Sequence, residues 1–328
     1  MRPPAAPVAV IHDDVFAEHD WPGHPESEER LLAIAARLRD DPVLSALPTE
    51  QAADADPAQL LSVHRESLLR IVEHTAQSGG GWVDSDTYCT ARSYDVARRA
   101  AGAAIRAVDA VCGGEARAVF GLVRPPGHHA TPDRPMGFCL FNNAAVGARF
   151  AQREWGLERI AIVDIDVHHG NGTQDIFFDD PSVLYCSLHQ WPLYPGTGRA
   201  SETGAGRGDG ATVNVPVPPR TTAAEWLSAF DERVLPALRE HRPELVIVSA
   251  GYDAHRADPL AFVELETDTY AAVAQRLSDV AGEHAGGRMV WLLEGGYNLV
   301  ALADSVAATL SQLAGGAGET KPAADGER

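Results

Sequence analysis

The sequence is almost without lysine, although it contains 27 lysine and arginine residues in total. Lys321 is the only lysine among its 328 residues. The chain that precedes Lys321 can therefore supply neither a Schiff-base lysine nor the lysine of a phosphate-binding P-loop. The absence of lysine thus excludes two large groups of catalytic mechanism for nearly the whole sequence.

Cysteine is also scarce, and the cysteines are scattered without any CxxC pair: Cys89, Cys112, Cys139 and Cys186. This spacing argues against a thiolate zinc site and against a disulfide framework, and it fits a reducing compartment. No apolar run is long enough to span a bilayer, and the first residues lack the apolar core of a signal peptide. We therefore expect a cytoplasmic protein that does not bind membranes.

Positive charge is in deficit, with 27 basic against 46 acidic residues and a net charge of −19. Such a chain is a poor nonspecific ligand for nucleic acid or for an anionic membrane. An acidic surface attracts cationic substrates instead, such as lysine-rich tails or polyamines, although acidity also serves solubility alone. The composition, with 45% hydrophobic and 22% charged residues, is that of an ordinary globular protein.

Short apolar runs alternate with segments of helical periodicity along the chain, which predicts a single three-layer αβα domain with a mainly parallel central sheet. The predicted strands are residues 8–11, 116–123, 160–163, 183–188, 213–217, 244–249 and 289–293. The predicted helices are residues 26–39, 57–77, 93–111, 144–155, 223–240 and 267–283, with a last helix that ends near Leu313. We assign residues 1–314 to one catalytic domain and expect residues 315–328 to be a disordered tail.

The most informative stretch is residues 159–172, RIAIVDIDVHHGNG. An apolar run typical of a buried parallel strand leads into Asp164, Asp166 and His168, which occupy alternate positions. Side chains two apart on a strand point the same way, and ligands of open α/β sheets bind at the carboxyl ends of the strands. Oxygen and nitrogen ligands suit zinc or another divalent metal in an open catalytic site. The alternative is a capping aspartate beside a hydrogen-bonded core histidine.

Three other predicted strands also run into polar residues: His128-His129, Asp253 and Tyr297. Taken alone, Asp253 reads equally well as a turn residue and Tyr297 as a loop tyrosine. Tandem histidines after a Pro-Gly pair are harder to explain in that way. One shared active site at the carboxyl edge of the sheet accounts for all four strand ends together.

The ordered motifs resemble those of the zinc-dependent histone deacetylase family. The resemblance is strongest to its class II and bacterial deacetylase-like amidohydrolase members, and acetylpolyamine amidohydrolases are further relatives. It runs from about His24 to Leu313 and rests on Arg124-Pro-Pro-Gly-His-His-Ala130, Gly137-Phe138, Asp164-Ile-Asp-Val-His-His-Gly-Asn-Gly172, Pro195-Gly-Thr-Gly198, Gly251-Tyr-Asp253, Asp258-Pro-Leu260 and Glu294-Gly-Gly-Tyr-Asn298. This resemblance implies the arginase–deacetylase α/β fold and hydrolysis of N-acyl amides.

The resemblance implies one catalytic zinc ion, Zn2+, held by Asp166, His168 and Asp253. Such an ion makes water a usable nucleophile near neutral pH and polarises the amide. The resemblance also implies structural potassium, K+, at two sites. The first involves Asp164, Asp166, His168, Ser187 and Leu188, and the second involves Phe177, Asp180 and Val183.

The implied catalytic residues surround that metal. His129 is expected to act as the general base and then as the acid that protonates the leaving amine. His128 is expected to stabilise charge while Asp164 holds it, and Tyr297 to donate a hydrogen bond to the oxyanion. Asn171 stands where many class I members have an aspartate, and it is expected to orient His129.

The implied acyl-lysine channel is lined by Gly137, Phe138, Tyr194, Leu260 and, at its rim, Asp86. Tyr194 takes the place of the usual phenylalanine, and a plain loop aspartate is an equal alternative for Asp86. Arg30 matches an arginine associated with an acetate exit path, and its alternative is a residue on a helix surface. The arginase-type ureohydrolases share the fold, but their Asp-Ala-His-x-Asp signature is replaced here by Asp166-Val-His-His-Gly, which favours a single metal.

Three functions are compatible with these residues. The first is removal of acetyl or related acyl groups from lysine in proteins or peptides. The second is deacetylation of small amines such as acetylpolyamines, against which Leu260 argues because polyamine-selective relatives have a glutamate there. The third, a catalytically dead binding module, is disfavoured because every expected catalytic position is intact. The oligomeric state is not predicted by these patterns.

Overall fold

A computed structural model describes residues 6–315 of the chain. This part contains ten strands: β1 (Ala6–Ile11), β2 (Thr49–Glu50), β3 (Gly80–Trp82), β4 (Tyr88–Thr90), β5 (Ala116–Gly121), β6 (Ile160–Asp164), β7 (Val183–Gln190), β8 (Thr212–Val217), β9 (Leu245–Ala250) and β10 (Met289–Leu293). All seven predicted strands are present. Strands β2, β3 and β4 were not predicted, since they are only two or three residues long and lack an apolar run.

Eight strands of the described residues form the central sheet, in the order β2-β1-β5-β10-β9-β6-β7-β8. Every neighbouring pair in it is parallel. The buried strand β6 lies between β9 and β7, where Asp164 pairs with Ser249 on one side and Ser187 on the other. The predicted α/β fold with a parallel sheet is therefore confirmed. The separate β3–β4 hairpin is antiparallel.

Ten α-helices lie within residues 6–315: α1 (Glu29–Arg39), α2 (Pro57–Leu60), α3 (Glu66–Gln77), α4 (Ser93–Cys112), α5 (Asn143–Trp155), α6 (Asn171–Phe177), α7 (Ala223–Ala229), α8 (Leu235–His241), α9 (Thr267–His284) and α10 (Leu299–Gly315). Helices α3, α4, α5 and α6 contact one another in one layer. Helices α1, α7, α8, α9 and α10 form the other layer. A sheet between two helical layers explains why β6, β9 and β10 are buried along their whole length.

Two predicted helices differ from the observed ones for identifiable reasons. The first begins at Glu29 rather than at Glu26, because the hydroxyl of Tyr88 binds the Glu26 carbonyl oxygen at 3.1 Å and keeps it out of the helix. The predicted helix over 57–77 is two helices, α2 and α3. The intervening turn is fixed by His64, whose ring binds the Thr131 carbonyl oxygen and the Asn142 amide, each at 2.9 Å.

The predicted helix over 223–240 is a continuous helical run in which a π-helical turn, Phe230–Val234, joins α7 to α8. Helix α10 extends to Gly315, the residue that we expected to open the tail, and residues 316–328 lie outside the described part of the chain. None of the helices within residues 6–315 has the length and hydropathy needed to cross a membrane.

Candidate metal site and catalytic pocket

Strands β5, β10, β9 and β6 are neighbours in the sheet, and the loops that follow them carry the predicted site residues. Because parallel strands end at one edge, these loops converge. His128 and His129 follow β5, Tyr297 follows β10, Asp253 follows β9, and Asp164 is the last residue of β6. The structure thus brings together residues that are up to 169 positions apart in the chain (128 and 297).

Asp166, His168 and Asp253 place their ligand atoms within 4.8 Å of one another. The Nδ1 atom of His168 lies 3.1 Å from both Asp166 Oδ1 and Asp253 Oδ2. We predicted that alternation along one strand aligns Asp164, Asp166 and His168. That reason was wrong, because β6 ends at Asp164 and the next residues form a loop. The loop is shaped by hydrogen bonds instead: Asp253 Oδ1 accepts from the Val167 amide at 2.8 Å, and Asp166 Oδ1 from the His168 amide at 2.9 Å.

Two glycines make room for the carboxylates of this group. A Cβ atom at Gly251 would lie 2.2 Å from Asp166 Oδ2, and one at Gly295 would lie 2.2 Å from Asp253 Oδ2. Contacts that short do not occur between real Cβ atoms and oxygens, so any larger residue would displace a carboxylate. The Gly295 amide also donates to Asp166 Oδ2 at 2.8 Å. The Gly-Tyr-Asp and Glu-Gly-Gly-Tyr motifs therefore keep space around the three ligand atoms.

The charge balance of this group favours a cation. Burial, together with the neighbouring Asp166 carboxylate, raises the pKa of Asp253 to about 7. Burial opposes the charged form of His168, but hydrogen bonds to Asp166 and Asp253 outweigh it and raise the pKa of His168 to about 10. Two buried carboxylates and one imidazole therefore attract positive charge, and a divalent ion with oxygen and nitrogen preferences, such as Zn2+, fits this donor set. The three residues form a candidate metal-binding group.

His128 is held by Asp164, whose Oδ2 atom lies 3.0 Å from His128 Nδ1. The Tyr185 hydroxyl donates to the same oxygen at 3.0 Å. Burial disfavours the imidazolium, but the carboxylates of Asp164 and Asp166 outweigh it and raise the pKa of His128 well above its usual range. The two carboxylates therefore favour the protonated form of His128.

His129 differs from its neighbour because its partner is neutral. Its Nδ1 atom lies 2.8 Å from Asn171 Oδ1, while the Asn171 amide nitrogen faces Met136 Sδ at 3.5 Å. An amide oxygen can only accept, so Nδ1 of His129 carries the proton and Nε2 is left as the free base. Burial, reinforced by repulsion from His128 and His168, lowers the pKa of His129 well below its usual range. His129 is therefore kept neutral, with the lone pair of Nε2 free.

A cavity of about 230 Å³ leads to these histidines, and all five predicted substrate-contacting residues line it: Gly137, Phe138, Tyr194, Leu260 and Asp86. The Tyr194 ring stands perpendicular to that of His129, with centroids 5.1 Å apart. Phe138 has a φ of +68°, and its amide binds the Thr87 hydroxyl at 3.0 Å. Two aromatic walls on a narrow channel suit an apolar chain.

Tyr297 also lines the cavity, and its ring lies perpendicular to Phe138 at a centroid distance of 5.8 Å. Asp258 fixes its backbone, since Asp258 Oδ2 accepts from the Tyr297 amide at 2.7 Å. Burial raises the pKa of the Tyr297 phenol well above its usual range despite the nearby Arg30 guanidinium. Tyr297 therefore remains a hydrogen-bond donor at any physiological pH.

Arg30 is fully buried, so the alternative of an arginine on the helix surface is wrong. Its guanidinium binds the Glu26 carboxylate and the carbonyl oxygens of Glu294 and Gly296, and it lies 5.2 Å from the centroid of the Tyr297 ring. Arg30 thus stabilises the loop over residues 294–297 through its hydrogen bonds to two of the loop's carbonyl oxygens.

Two buried acids near the site were not identified in the sequence as functional. Glu26 lies between the guanidinium groups of Arg124 and Arg30. Glu294 accepts from the amides of Gly127 and His128 at 2.6 and 3.2 Å, and so clamps the loop of the tandem histidines. The only sequence signal was their position inside the His24-Pro-Glu26 and Glu294-Gly-Gly-Tyr motifs.

The residues expected at the potassium sites are close together in two groups. In the first, Asp164 pairs with Ser187 across β6 and β7, and the Ser187 hydroxyl lies 2.9 Å from His189 Nδ1. In the second, the amide of Asp180 donates to the Phe177 carbonyl at 3.0 Å. There the Asp180 carboxylate binds Arg149 at 2.7 Å, so only backbone oxygens of that group remain for a cation.

A buried Asp-His-Asp group at the foot of an aromatic channel, on the carboxyl edge of a parallel sheet, has the donor atoms and the position that a metal-dependent hydrolase requires. The family model described as "Histone deacetylase domain" matches residues 24–313, and the chain therefore belongs to the histone deacetylase family. It is a deacetylase or amidohydrolase of that family.

Individual relatives support this assignment. "Histone deacetylase 10, chloroplastic" of Oryza sativa is 41% identical over 314 residues, which cover 90% of this chain and 71% of the relative. "Histone deacetylase-like amidohydrolase" of Pseudomonas aeruginosa is 42% identical over 277 residues, covering 84% and 73%. The solved structure "Crystal Structure of HDA15 HD domain" matches with a TM-score of 0.89 at 39% identity, covering 95% of this chain and 90% of that one.

Proposed function

We propose that residues 1–314 form a zinc-dependent deacetylase domain that removes acetyl or related acyl groups from lysine side chains of proteins or peptides. The observation that carries the proposal is the Asp166–His168–Asp253 group at the foot of the channel walled by Phe138 and Tyr194. Such a channel admits a linear methylene chain and presents its terminal amide to the metal-binding group. All four cysteines are free, which supports a reducing location, the cytoplasm.

In this proposal Asp166, His168 and Asp253 hold one zinc ion, which when bound polarises the amide carbonyl and acidifies water. His129 accepts the proton of the attacking water at Nε2, because Asn171 keeps the other ring nitrogen protonated. The same nitrogen then delivers that proton to the departing amine. His128, charged beside Asp164, stabilises negative charge that develops on the substrate.

Tyr297 donates its hydroxyl to the oxyanion as the carbonyl carbon becomes tetrahedral. Its position depends on Asp258 and on the Arg30 guanidinium beneath its ring. We propose structural potassium at the two predicted groups, whose carbonyl oxygens are the ligands that such an ion takes. Potassium at Asp164 and Ser187 supports the residue that holds His128.

The experiment that tests the proposal compares purified enzyme on acetyl-lysine peptides with the same enzyme on acetylputrescine and acetylspermidine. We expect higher kcat/KM on the peptides, because Leu260 lines the channel at the position where polyamine-selective relatives have a glutamate. The His129→Ala variant is the control for contaminating activity. Preference for the acetylpolyamines would establish the alternative function, and no turnover of either class by the metal-loaded enzyme would refute both.

A second prediction concerns the partner of His129. Replacing Asn171 by aspartate puts a carboxylate where an amide oxygen now lies 2.8 Å from His129 Nδ1. Negative charge stabilises the imidazolium, so the lowered pKa of His129 rises. The base form is then lost at a higher pH, and we expect the acidic limb of the profile of kcat/KM against pH to move upward in Asn171→Asp. An unmoved limb would count against His129 as the base.

A further inference from the structure

The rim of the channel carries an exposed tryptophan that the proposed reaction does not use. Trp82 ends β3, pairs with Tyr88 across the hairpin, and is 52% exposed. The half-buried Trp21 ring packs beside it at a centroid distance of 5.4 Å. An exposed indole supported by a second indole presents a flat aromatic surface to water. Exposing apolar surface in this way is unfavourable, and such patches are typical of binding surfaces.

This indole pair is connected to the channel wall by one ring. His24 lies 6.2 Å from the Trp82 ring and 4.6 Å from the ring of Phe138, measured between centroids. Trp82 is not among the residues that line the cavity, and the His24 ring separates it from Phe138. A peptide at the channel mouth offers a neighbouring side chain that can contact Trp82 beyond this ring, and a linear amine has no such branch.

Asp86 lies in the turn between β3 and β4, four residues after Trp82. The Asp86 carbonyl oxygen is 3.1 Å from His24 Nε2, and Asp86 itself lines the cavity. The Oδ1 atom of Asp86 accepts a hydrogen bond from the Thr87 hydroxyl at 2.8 Å. The nearby Asp84 is 3.4 Å from Arg134, an exposed pair, so Asp86 is the acid left for a substrate cation. Aromatic faces and carboxylates are the groups that recognise guanidinium and ammonium ions, and this hairpin carries one of each.

We propose that Trp21, Trp82 and Asp86 form a cation-binding rim that selects peptides with a basic side chain next to the acyl-lysine. The inference rests on the proposed deacetylase function and names its substrate class more narrowly. The basic group stacks on the Trp82 indole while Asp86 supplies the opposite charge. The chain's net charge of −19 attracts such peptides from solution and adds to the same preference.

The test uses two acetyl-lysine peptides that are identical except for a neighbouring arginine or citrulline. Citrulline keeps the shape of arginine and removes its charge. We expect the ratio of kcat/KM for the arginine peptide to that for the citrulline peptide to exceed one in the wild type. We expect a wild-type ratio of roughly 3–10 that falls toward one in Trp82→Ala and in Asp86→Asn, and that also falls with added salt, because exposed charges are screened.

Matched controls separate recognition from folding. Trp155, which ends α5 and is 39% exposed, and Asp109 on α4 lie near Gly113, at the opposite edge of the sheet from the site. Trp155→Ala and Asp109→Asn should leave the ratio unchanged. Trp82→Phe should restore most of the ratio, because it keeps an aromatic face, and circular dichroism melting would show whether any variant fails to fold.

The outcomes distinguish this inference from the proposed function. If the wild type turned over both peptides with equal kcat/KM, the cation-binding role of the rim would be refuted and the deacetylase proposal would stand. An equal loss on both peptides in Trp82→Ala would show that Trp82 shapes the channel and does not read charge. If Trp82→Ala lowered kcat/KM for acetylspermidine and for neither peptide, the rim would be assigned to small amines instead. Failure to deacetylate either peptide would remove the proposed function itself.

Discussion

The Asp253→Ala variant is expected to lose its zinc and, with it, all measurable deacetylation. Asp253 supplies one of the three ligand atoms, and its Oδ1 atom also holds the Val167 amide of the opposite loop. Removing it leaves Asp166 and His168 without the third donor and disorders the loop that carries them. Metal content by mass spectrometry should fall from about one ion per chain to near zero. Turnover of an acetyl-lysine peptide should fall to the level of the buffer.

The isosteric Asp253→Asn variant separates the loss of the negative charge from the loss of the side chain. It keeps the size of the side chain and an oxygen acceptor, but it removes one of the two buried negative charges. We expect weak metal binding that is restored by excess zinc, with partial recovery of activity. Asp279→Ala, an exposed aspartate on α9, serves as the matched control and should keep both metal and activity. Full metal occupancy in Asp253→Ala would overturn the ligand assignment.

The His129→Ala variant is expected to keep its zinc and lose turnover by roughly 10²–10⁴-fold, the usual contribution of a positioned acid–base group. His129 is not one of the three residues of the metal-binding group, so metal content and melting temperature should change little. The loss should fall on kcat, because proton transfer is needed in the reaction and not for binding. Steady-state kinetics on acetyl-lysine peptides, with metal analysis of the same sample, measures both quantities.

A comparison with His74→Ala completes the experiment, since His74 lies in the last turn of α3, away from the cavity. That variant should match the wild type. A His129→Ala enzyme within ten-fold of wild-type kcat would show that another group takes the proton. Loss of the metal in His129→Ala would instead indicate that His129 contributes to metal binding, contrary to the hydrogen bonds of its ring.

Much of the fold was predictable from the sequence because it depends on local periodicity. The apolar runs of β6, β9 and β10 and the helical spacing of α4 and α9 gave bounds within about three residues of the observed ones. Local periodicity failed where a distant partner decided the outcome. Helix α1 starts late because Tyr88 captures the Glu26 carbonyl, and the 57–77 segment breaks because His64 binds the loop at Thr131. No local pattern encodes those contacts.

The candidate site divides in the same way. The meeting of four polar strand ends at one sheet edge was expected from the alternation of strands and helices, and the set Asp166, His168 and Asp253 from the family resemblance. The strand alternation that first pointed to Asp164, Asp166 and His168 does not extend past Asp164. The supporting residues were not predictable. Glu294 and Glu26 look like ordinary surface acids in sequence, and only the three-dimensional arrangement shows that both are buried among the loops they hold. Their roles depend on contacts of Glu26 with Arg124 and of Glu294 with Gly127, which are 98 and 167 positions apart.

Strand β10 is among the last elements in the chain, yet it lies in the middle of the sheet. During synthesis, residues 6–121 supply strands on one side of its place, and residues 160–250 supply those on the other. Until Met289–Leu293 leave the ribosome, β5 and β9 each have one side without a partner strand. Such exposed strand edges are prone to aggregate. The tandem histidines belong to the first half and the metal-binding group to the second. The nascent chain therefore has no complete candidate site until β10 joins the halves, so the site is assembled only at the end of folding.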